Sequence, residues 1–200
     1  MLLATRSAGK LRELQPMFAA AGYEAIDLTA AGIPERPDEE HLETAATFEE
    51  NALIKARHFH RLSGLPTVAD DSGIEVDALG GAPGVRSKRW SGRADLEGQA
   101  LDDANNALLL ERLGALGAST GRGARYVCAA ALCDGAREIV ERGETAGVIT
   151  LAPRGTGGFG YDPYFESAEL GRTFGEVTLA EKARVSHRAR AFAKLLRRMA

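Results

Sequence analysis

Short apolar runs along this chain alternate with longer stretches in which apolar residues recur every three to four positions, a pattern that predicts strands interleaved with helices. Met1 to Ala4 reads as a buried strand. Ser7 then caps a helix carrying Leu11, Leu14 and Phe18 at helical spacing, with Pro16 kinking or ending it and Gly22 closing it. Glu24 to Leu28 reads as a second strand. Residues 31–46 hold Pro34 and Pro37 among Glu35, Asp38, Glu39, Glu40 and Glu43, and read as a loop. Thr47 with Glu50 forms a capping box that opens a helix running towards Leu62 and stopping at Gly64. Pro66 leads into a strand over Thr67 to Ala69, with Asp70 and Asp71 at its end and a glycine-broken turn (Gly80, Gly81, Gly84) beyond.

In the second half, Leu101, Ala104, Leu108 and Leu109 form an amphipathic stripe that predicts a helix over 97–114. Residues 114–124 read as a Gly/Ala/Ser/Thr linker. Tyr126 to Leu132 and Glu138 to Val140 flank Asp134-Gly135, which predicts a hairpin with a type I′ turn, and Thr145 to Leu151 continues the strand system. Pro153 to Gly160 is a glycine-rich loop, and Ser186 to Met199 a basic helix capped by Ser186. Alternating elements followed by a hairpin give an α/β class with a mixed sheet.

Composition narrows the class of function. Two hundred residues suit one sizeable domain or two small lobes sharing a core, and no internal repeat is visible. A formal net charge of −3 argues against bulk nucleic-acid binding, which requires an excess of Lys and Arg. No apolar run approaches the roughly 20 residues needed to span a bilayer, and the N-terminus has no signal-peptide pattern, so the cytoplasm is the expected compartment. Cys128 and Cys133, at odd spacing on one strand, point to opposite faces and read as reduced core thiols. The four histidines show no paired zinc-ligand spacing.

Four segments could carry chemistry. Thr5-Arg6-Ser7-Ala8-Gly9-Lys10 sits where a strand gives way to a helix N-terminus, whose free N–H groups and dipole attract phosphate. It resembles the end of a Walker A loop but lacks that loop's first glycine and its magnesium-holding Ser/Thr. A capped surface helix with a solvated lysine explains it equally well. Glu43, Glu50, Asp70 and Asp71 are candidate ligands for a hard cation, which takes a few carboxylates together with water and phosphate oxygens. Glu50 has a competing role in its capping box, and a hydrogen-bonded turn is the structural alternative for the Asp pair. Gly155 to Pro163 combines glycines with Phe159 and Tyr161, which could stack on a base, and with Asp162, which could accept ring N–H groups; its structural alternative is a tight turn plugging the core. His187 and Arg188 occupy a first helical turn, where cations are unfavoured, which points to an anionic or carbonyl-bearing partner nearby.

Together these segments resemble the inosine/xanthosine triphosphate pyrophosphatase family. The matching pieces are Ala4-Thr5 with Lys10, Thr47 to Ala52 with Lys55-Ala56, Ala69 to Gly73, Gly80 to Val85 with Ser87, Gly157 to Pro163, and Ser186-His187-Arg188. They run in family order over essentially the whole chain. The resemblance implies a single pyrophosphatase domain over 1–200, an elongated mixed sheet flanked by helices, with two lobes and a central substrate cleft. It also implies a homodimer that depends on Mg2+, and attack of water on the α-phosphorus of inosine, deoxyinosine or xanthosine triphosphate. By matching position, Asp71 would be the general base and a metal ligand, with Glu43 the second ligand. Thr5, Arg6, Ser7, Ala8, Gly9, Lys10, Lys55 and Ser72 would hold the triphosphate. Phe159, Gly160, Tyr161, Asp162, Lys182, His187 and Arg188 would enclose the purine, where donors such as Arg188 would favour a 6-keto oxygen over an adenine amino group.

The chain departs from the family pattern at three positions. Ser7 stands where the family has Asn and lacks the amide, Arg6 is bulky for that loop, and Lys88 stands where Ala is common. The competing readings are a pyrophosphatase for other modified nucleotides, a nucleotide sensor that has lost turnover, and a nucleic-acid binder using the basic C-terminal helix.

Overall fold

The computed structural model describes residues 1–116 and 121–199. It contains one six-stranded sheet in the order β2-β1-β3-β4-β5-β6, with β1 (Leu2–Leu3), β2 (Ile26–Asp27), β3 (Thr67–Val76), β4 (Gly123–Cys133), β5 (Glu138–Ile149) and β6 (Phe165–Ser167). β1 runs parallel to both β2 and β3, while β6 is antiparallel to β5 (Val148 opposite Glu166), so the sheet is mixed. The flanking helices are α1 (Ala8–Ala20), α2 (Phe48–Ser63), α3 (Gly98–Ala115), α4 (Leu179–Val185) and α5 (His187–Met199). Among the described residues no helix is long and apolar enough to cross a membrane.

The chain divides into two compact units, one of Met1–Ser72, Cys128–Gly143 and His187–Ala200, the other of Gly73–Val127 and Glu144–Ser186. Each has its own core. The first packs Leu3 and Val68 against Leu14 and Phe18 of α1, Cys128, Ala130 and Leu132 of β4, and Phe192 and Leu195 of α5. The second packs Ile74, Val76, Tyr126 and Ile149 against Leu109 and Leu113 of α3 and against Phe165 and Phe174.

Several sequence expectations hold in detail. Ser7 caps α1, its hydroxyl accepting from Lys10 N at 3.3 Å, and Thr47 caps α2 by accepting from Glu50 N at 3.2 Å. Gly64, at φ 68°, ends α2 in the left-handed region that suits glycine. α1 continues through Pro16 to Ala20, because burial of Leu14 and Phe18 outweighs one missing backbone bond.

Other expectations are corrected. Asp70 and Asp71 do not end a strand: β3 continues through them to Val76. The ladder tolerates buried carboxylates there because both are bonded to donors from other elements. The second strand is only Ile26–Asp27, and within the loop over 31–46 a 3-10 helix spans Pro37–Glu43. The hairpin turn is not type I′, which needs a positive φ at both central residues; only Gly135 has one, at 87°. The Asp134 carboxylate instead accepts from Ala136 N and Arg137 N at 3.0 and 2.7 Å. The strands expected at Glu138 to Val140 and Thr145 to Leu151 are one strand, β5. The expected linker over 114–124 is partly α3 and β4, and residues 117–120 lie outside the described residues. The stripe on α3 is also more polar than expected, since Asn105 and Asn106 are buried beside Leu109 and Leu113.

β5 can lie against α5 only because residue 143 is glycine. A Cβ there would sit 2.2 Å from His187 O and 2.4 Å from Ala191 N, both backbone atoms. Gly143→Ala should therefore destabilise the protein by about 3 kcal/mol through overpacking, read as a lower urea midpoint at unchanged slope. An unchanged midpoint would show that the helix can move away at no cost.

Candidate active site

In the first unit, five elements bring three cations onto four acids. Lys10, in the first turn of α1, places Nζ 3.1 Å from Asp70 Oδ2. Lys55, one turn after Asn51 on the buried face of α2, donates to Glu43 Oε1 at 2.6 Å and to the carbonyl of Asp70. Arg188, in the first turn of α5 and 2% exposed, donates from Nε to Asp70 Oδ2 at 3.2 Å, from Nη2 to Ser72 Oγ at 2.7 Å, and from Nη1 to Glu13. The anionic partner expected for a cation at that helix start is thus supplied by Asp70 and Glu13. Asn51 Nδ2 donates to Asp71 Oδ2 at 2.9 Å, and its Oδ1 accepts from Ala45 N at 2.9 Å. One fully buried carboxamide therefore ties the segment after Glu43 to the strand bearing Asp71.

The adjacent acids differ in electrostatics. Burial works against an ionised Asp70, but Lys10, Arg188 and Lys55 outweigh it and hold the carboxyl well below the usual range. Burial pushes Asp71 up; Lys55 pulls against it, and the neighbouring Glu43 carboxylate raises it further. Lys55, opposed by burial, is held above its ordinary value by Glu43 first, then Asp71 and Asp70. Asp70 is thus locked as an anion, whereas Asp71 has heightened affinity for a proton.

The remaining phosphate-side candidates have distinct surroundings. Thr5 Oγ1 accepts from Ser7 N at 3.1 Å, and Ala8 and Gly9 open α1, where first-turn N–H groups have no intrahelical partner. The Arg6 guanidinium is bound to Glu39 at 2.7 and 3.1 Å and to the carbonyls of Ile33 and Pro34, both at 2.9 Å. It fastens the 33–39 segment to the loop that begins α1. Lys88 is exposed.

In the second unit, the Phe159–Asp162 turn closes on its own aspartate. Asp162 Oδ2 accepts from Phe159 N at 2.9 Å and from Lys182 Nζ at 2.6 Å, while Oδ1 accepts from Tyr126 at 3.2 Å. The Lys182 ammonium lies 5.0 Å from the Phe159 ring centroid and 5.2 Å from that of Phe174, a cation–π arrangement. Tyr161 is buried and donates to Ser87 O at 2.8 Å, and Gly160 is held at both its N–H and its C=O by α3. His187, buried, is the first residue of α5. Phe159, Gly160, Tyr161, Asp162 and Lys182 thus gather in one unit; Lys10, Lys55, Asp71, Ser72, Glu43 and Arg188 gather in the other.

Sequence reasoning assigned no role to Asn51, Glu13, Asp102 or Asn106. Asn51 lies within the Thr47–Ala52 segment, and paired asparagines inside a helix are the only sequence signal for the α3 side chains. The Thr178-to-Glu181 capping box, a local signal in the sequence, begins α4 and so sets Lys182.

The sequence and the fold are shared with known proteins. Residues 1–198 match the Ham1 family. The chain belongs to that family. A dITP/XTP pyrophosphatase of Frankia alni is 51% identical over 197 residues, covering 98% of this chain and 94% of the relative. One from Symbiobacterium thermophilum is 48% identical over 200 residues, covering 100% and 94%. The solved structure of a HAM1 protein from Coxiella burnetii superposes with a TM-score of 0.84 at 35% identity, covering 99% of this chain and 96% of that one. A Mycobacterium abscessus nucleoside-triphosphatase / dITP/XTP pyrophosphatase gives 0.72 at 45% identity, covering 98% and 97%. The α/β class with a mixed sheet is the family's.

Asp70→Asn should cost about 3–5 kcal/mol at neutral pH, because it removes the buried charge that Lys10 and Arg188 share and leaves Arg188 with Glu13. A depressed carboxyl gives stability that is fully present above its unfolded value near ~4 and fades as pH falls through the folded one. The gap between wild type and variant in chemical denaturation should therefore narrow below about pH 4; a gap independent of pH would contradict the ion-pair account.

Proposed function

We propose that this protein hydrolyses non-standard purine nucleoside triphosphates (ITP, dITP and XTP) to the monophosphate and pyrophosphate, cleansing the cytoplasmic nucleotide pool. The observation that carries the reading is the pair of adjacent buried acids, one locked as an anion and one poised to take a proton, beside two lysines and a helix N-terminus. Membership of a family whose relatives are named dITP/XTP pyrophosphatases supports it.

In this reading a triphosphate, carrying about four negative charges, is held by Lys10, Lys55, Ser72 and the Thr5–Lys10 turn, including Ser7, Ala8 and Gly9. Arg6 contributes its backbone, because its guanidinium holds Glu39 and the carbonyls of Ile33 and Pro34. Ser7 acts through its cap, which fixes the start of α1 by taking the Lys10 N–H and leaves those of Ala8 and Gly9 to face the phosphates. Asp71 takes the proton of the attacking water; a new bond forms at the α-phosphorus, the bond to the bridging oxygen breaks, and pyrophosphate leaves. A carboxyl with raised proton affinity suits that task. Asp70 supports by fixing Lys10 and Arg188.

The residues present fit a hard divalent cation, with Mg2+ the ion proposed. Glu43 and Asp71 are close enough for one to raise the other's proton affinity, and their donor atoms are all oxygen. Among the described residues no group of three or more His, Cys, Asp or Glu could hold a metal. Two carboxylates completed by substrate phosphate is an arrangement magnesium accepts. When bound, the cation would polarise the phosphoryl group and offset charge.

The purine is assigned to Phe159, Gly160, Tyr161, Asp162, Lys182, His187 and Arg188. Phe159 offers a stacking face and Lys182 a donor suited to a 6-keto oxygen; an amino group there would set donor against donor. For Arg188, whose three guanidinium nitrogens already hold Asp70, Ser72 and Glu13, a substrate contact requires an exchange of partner. Both units are read as one catalytic domain, assembled as a homodimer.

Pyrophosphate release from ITP, XTP, GTP and ATP in Mg2+ tests the reading: ITP and XTP should exceed ATP by at least about a hundredfold in kcat/KM. Comparable turnover of ATP, or inosine-nucleotide binding without turnover, would overturn it. Because Asp71 must be ionised, activity should rise with pH through its raised pKa. Asn51→Leu removes a hydrogen bond that lowers that value, so its acidic limb should shift to higher pH. An unshifted limb would remove Asp71 as the titrating base.

A further inference from the structure

The Phe159–Asp162 turn depends on a support outside itself. Gly160 adopts φ 62°, and its peptide groups are both taken by α3: Asp102 Oδ2 accepts from Gly160 N at 2.7 Å, and Asn106 Nδ2 donates to Gly160 O at 3.0 Å. Asp102 and Asn106 are four residues apart, so they share one face of the helix. The orientation of the Asn106 amide is fixed, because Nδ2 also donates to Asp102 O at 2.9 Å and a flip would set oxygen against two carbonyls. Its Oδ1 is consequently buried with no hydrogen-bond partner among the described residues. A residue kept only for packing would avoid that cost.

We propose that Asp102 and Asn106 are positioning residues for base selectivity. By clamping the Gly160 peptide they fix how the Phe159 ring and the Asp162 carboxylate are presented to the purine. This deepens the function proposed above and rests on it. A turn released from the clamp would tolerate a misfitting base, while the acids and lysines of the other cluster would be untouched. The burden should therefore fall on KM and selectivity rather than on kcat. Asp102→Asn keeps a side-chain oxygen for the Gly160 N–H and serves as the conservative control.

The test pairs a structural readout with a kinetic one. In the free protein, Gly160 amide exchange should accelerate at least about tenfold in Asp102→Ala and stay near wild type in Asp102→Asn. With ITP as substrate, Asp102→Ala and Asn106→Ala should raise KM about tenfold and shrink the ITP-to-ATP ratio by a similar factor. Their kcat should stay within about twofold, and Asp102→Asn should restore KM. Unchanged Gly160 exchange in Asp102→Ala would overturn the clamp. A fall in kcat with KM and selectivity unchanged would overturn the positioning role. A wild-type protein inactive on ITP would instead sink the proposed function, with the exchange data still deciding whether the clamp exists.

Discussion

The Asp70 carboxylate is the constraint on which the first unit's site depends. It is 1% exposed, and an ionised acid at such depth survives because Lys10 and Arg188 reach Oδ2 at 3.1 and 3.2 Å and the Lys55 charge adds to theirs. Those two contacts fix the start of α1 and the start of α5 against β3. Lys55, bound to the carbonyl of the same residue, adds α2 and, through Glu43, the end of the 3-10 segment. Remove the charge on Asp70 and half-buried Lys10 loses its paired carboxylate, while buried Arg188 is left with Glu13. The neighbouring Asp71 is then free to be something else: a carboxyl pushed up by burial and by Glu43, aligned by Asn51 and by the Ser72 N–H at 3.0 Å. Adjacent residues on a strand face opposite ways, and here that alternation separates a structural anion from a proton acceptor.

The second unit solves a different problem, holding a glycine-rich turn in one shape. Asp162 closes the turn on Phe159 N, Lys182 neutralises it, and Tyr126 takes its remaining oxygen. Tyr161 is anchored to Ser87 O, and Ser87 Oγ in turn accepts from Ile74 N at 2.8 Å, so the turn is tied to the β3 end of the unit's core. The flexibility that glycine permits is cancelled by side chains on α3 and α4. Such preorganisation is what discrimination between a keto and an amino purine requires.

What the sequence disclosed was what local physics decides. Ser7, Thr47 and Gly64 bounded helices because capping and left-handed backbone act within a few residues, and α3 followed from apolar spacing. Family order supplied the grouping of Lys10, Lys55 and Asp71. The continuation of β3 through two aspartates was not legible, since it rests on donors 60 and 118 residues away. Asn106 read as a polar helix position because its partner, Gly160, lies 54 residues further on. Asp134-Gly135 misled through a real tendency, overridden by a side chain that capped the turn itself. Arg188, expected around the purine, showed its long-range role only in three dimensions, where Asp70, Ser72 and Glu13 occupy its guanidinium.

The two aspartates divide the labour between structure and chemistry, and Asp71→Asn separates the two roles when stability and turnover are read on the same sample. Burial makes an ionised Asp71 a cost to the folded state above its unfolded pKa, so a neutral amide should leave the melting temperature at neutral pH unchanged or higher. Pyrophosphate release from ITP should fall by about a hundredfold or more. Turnover within tenfold of wild type, or loss of the fold, would contradict the account.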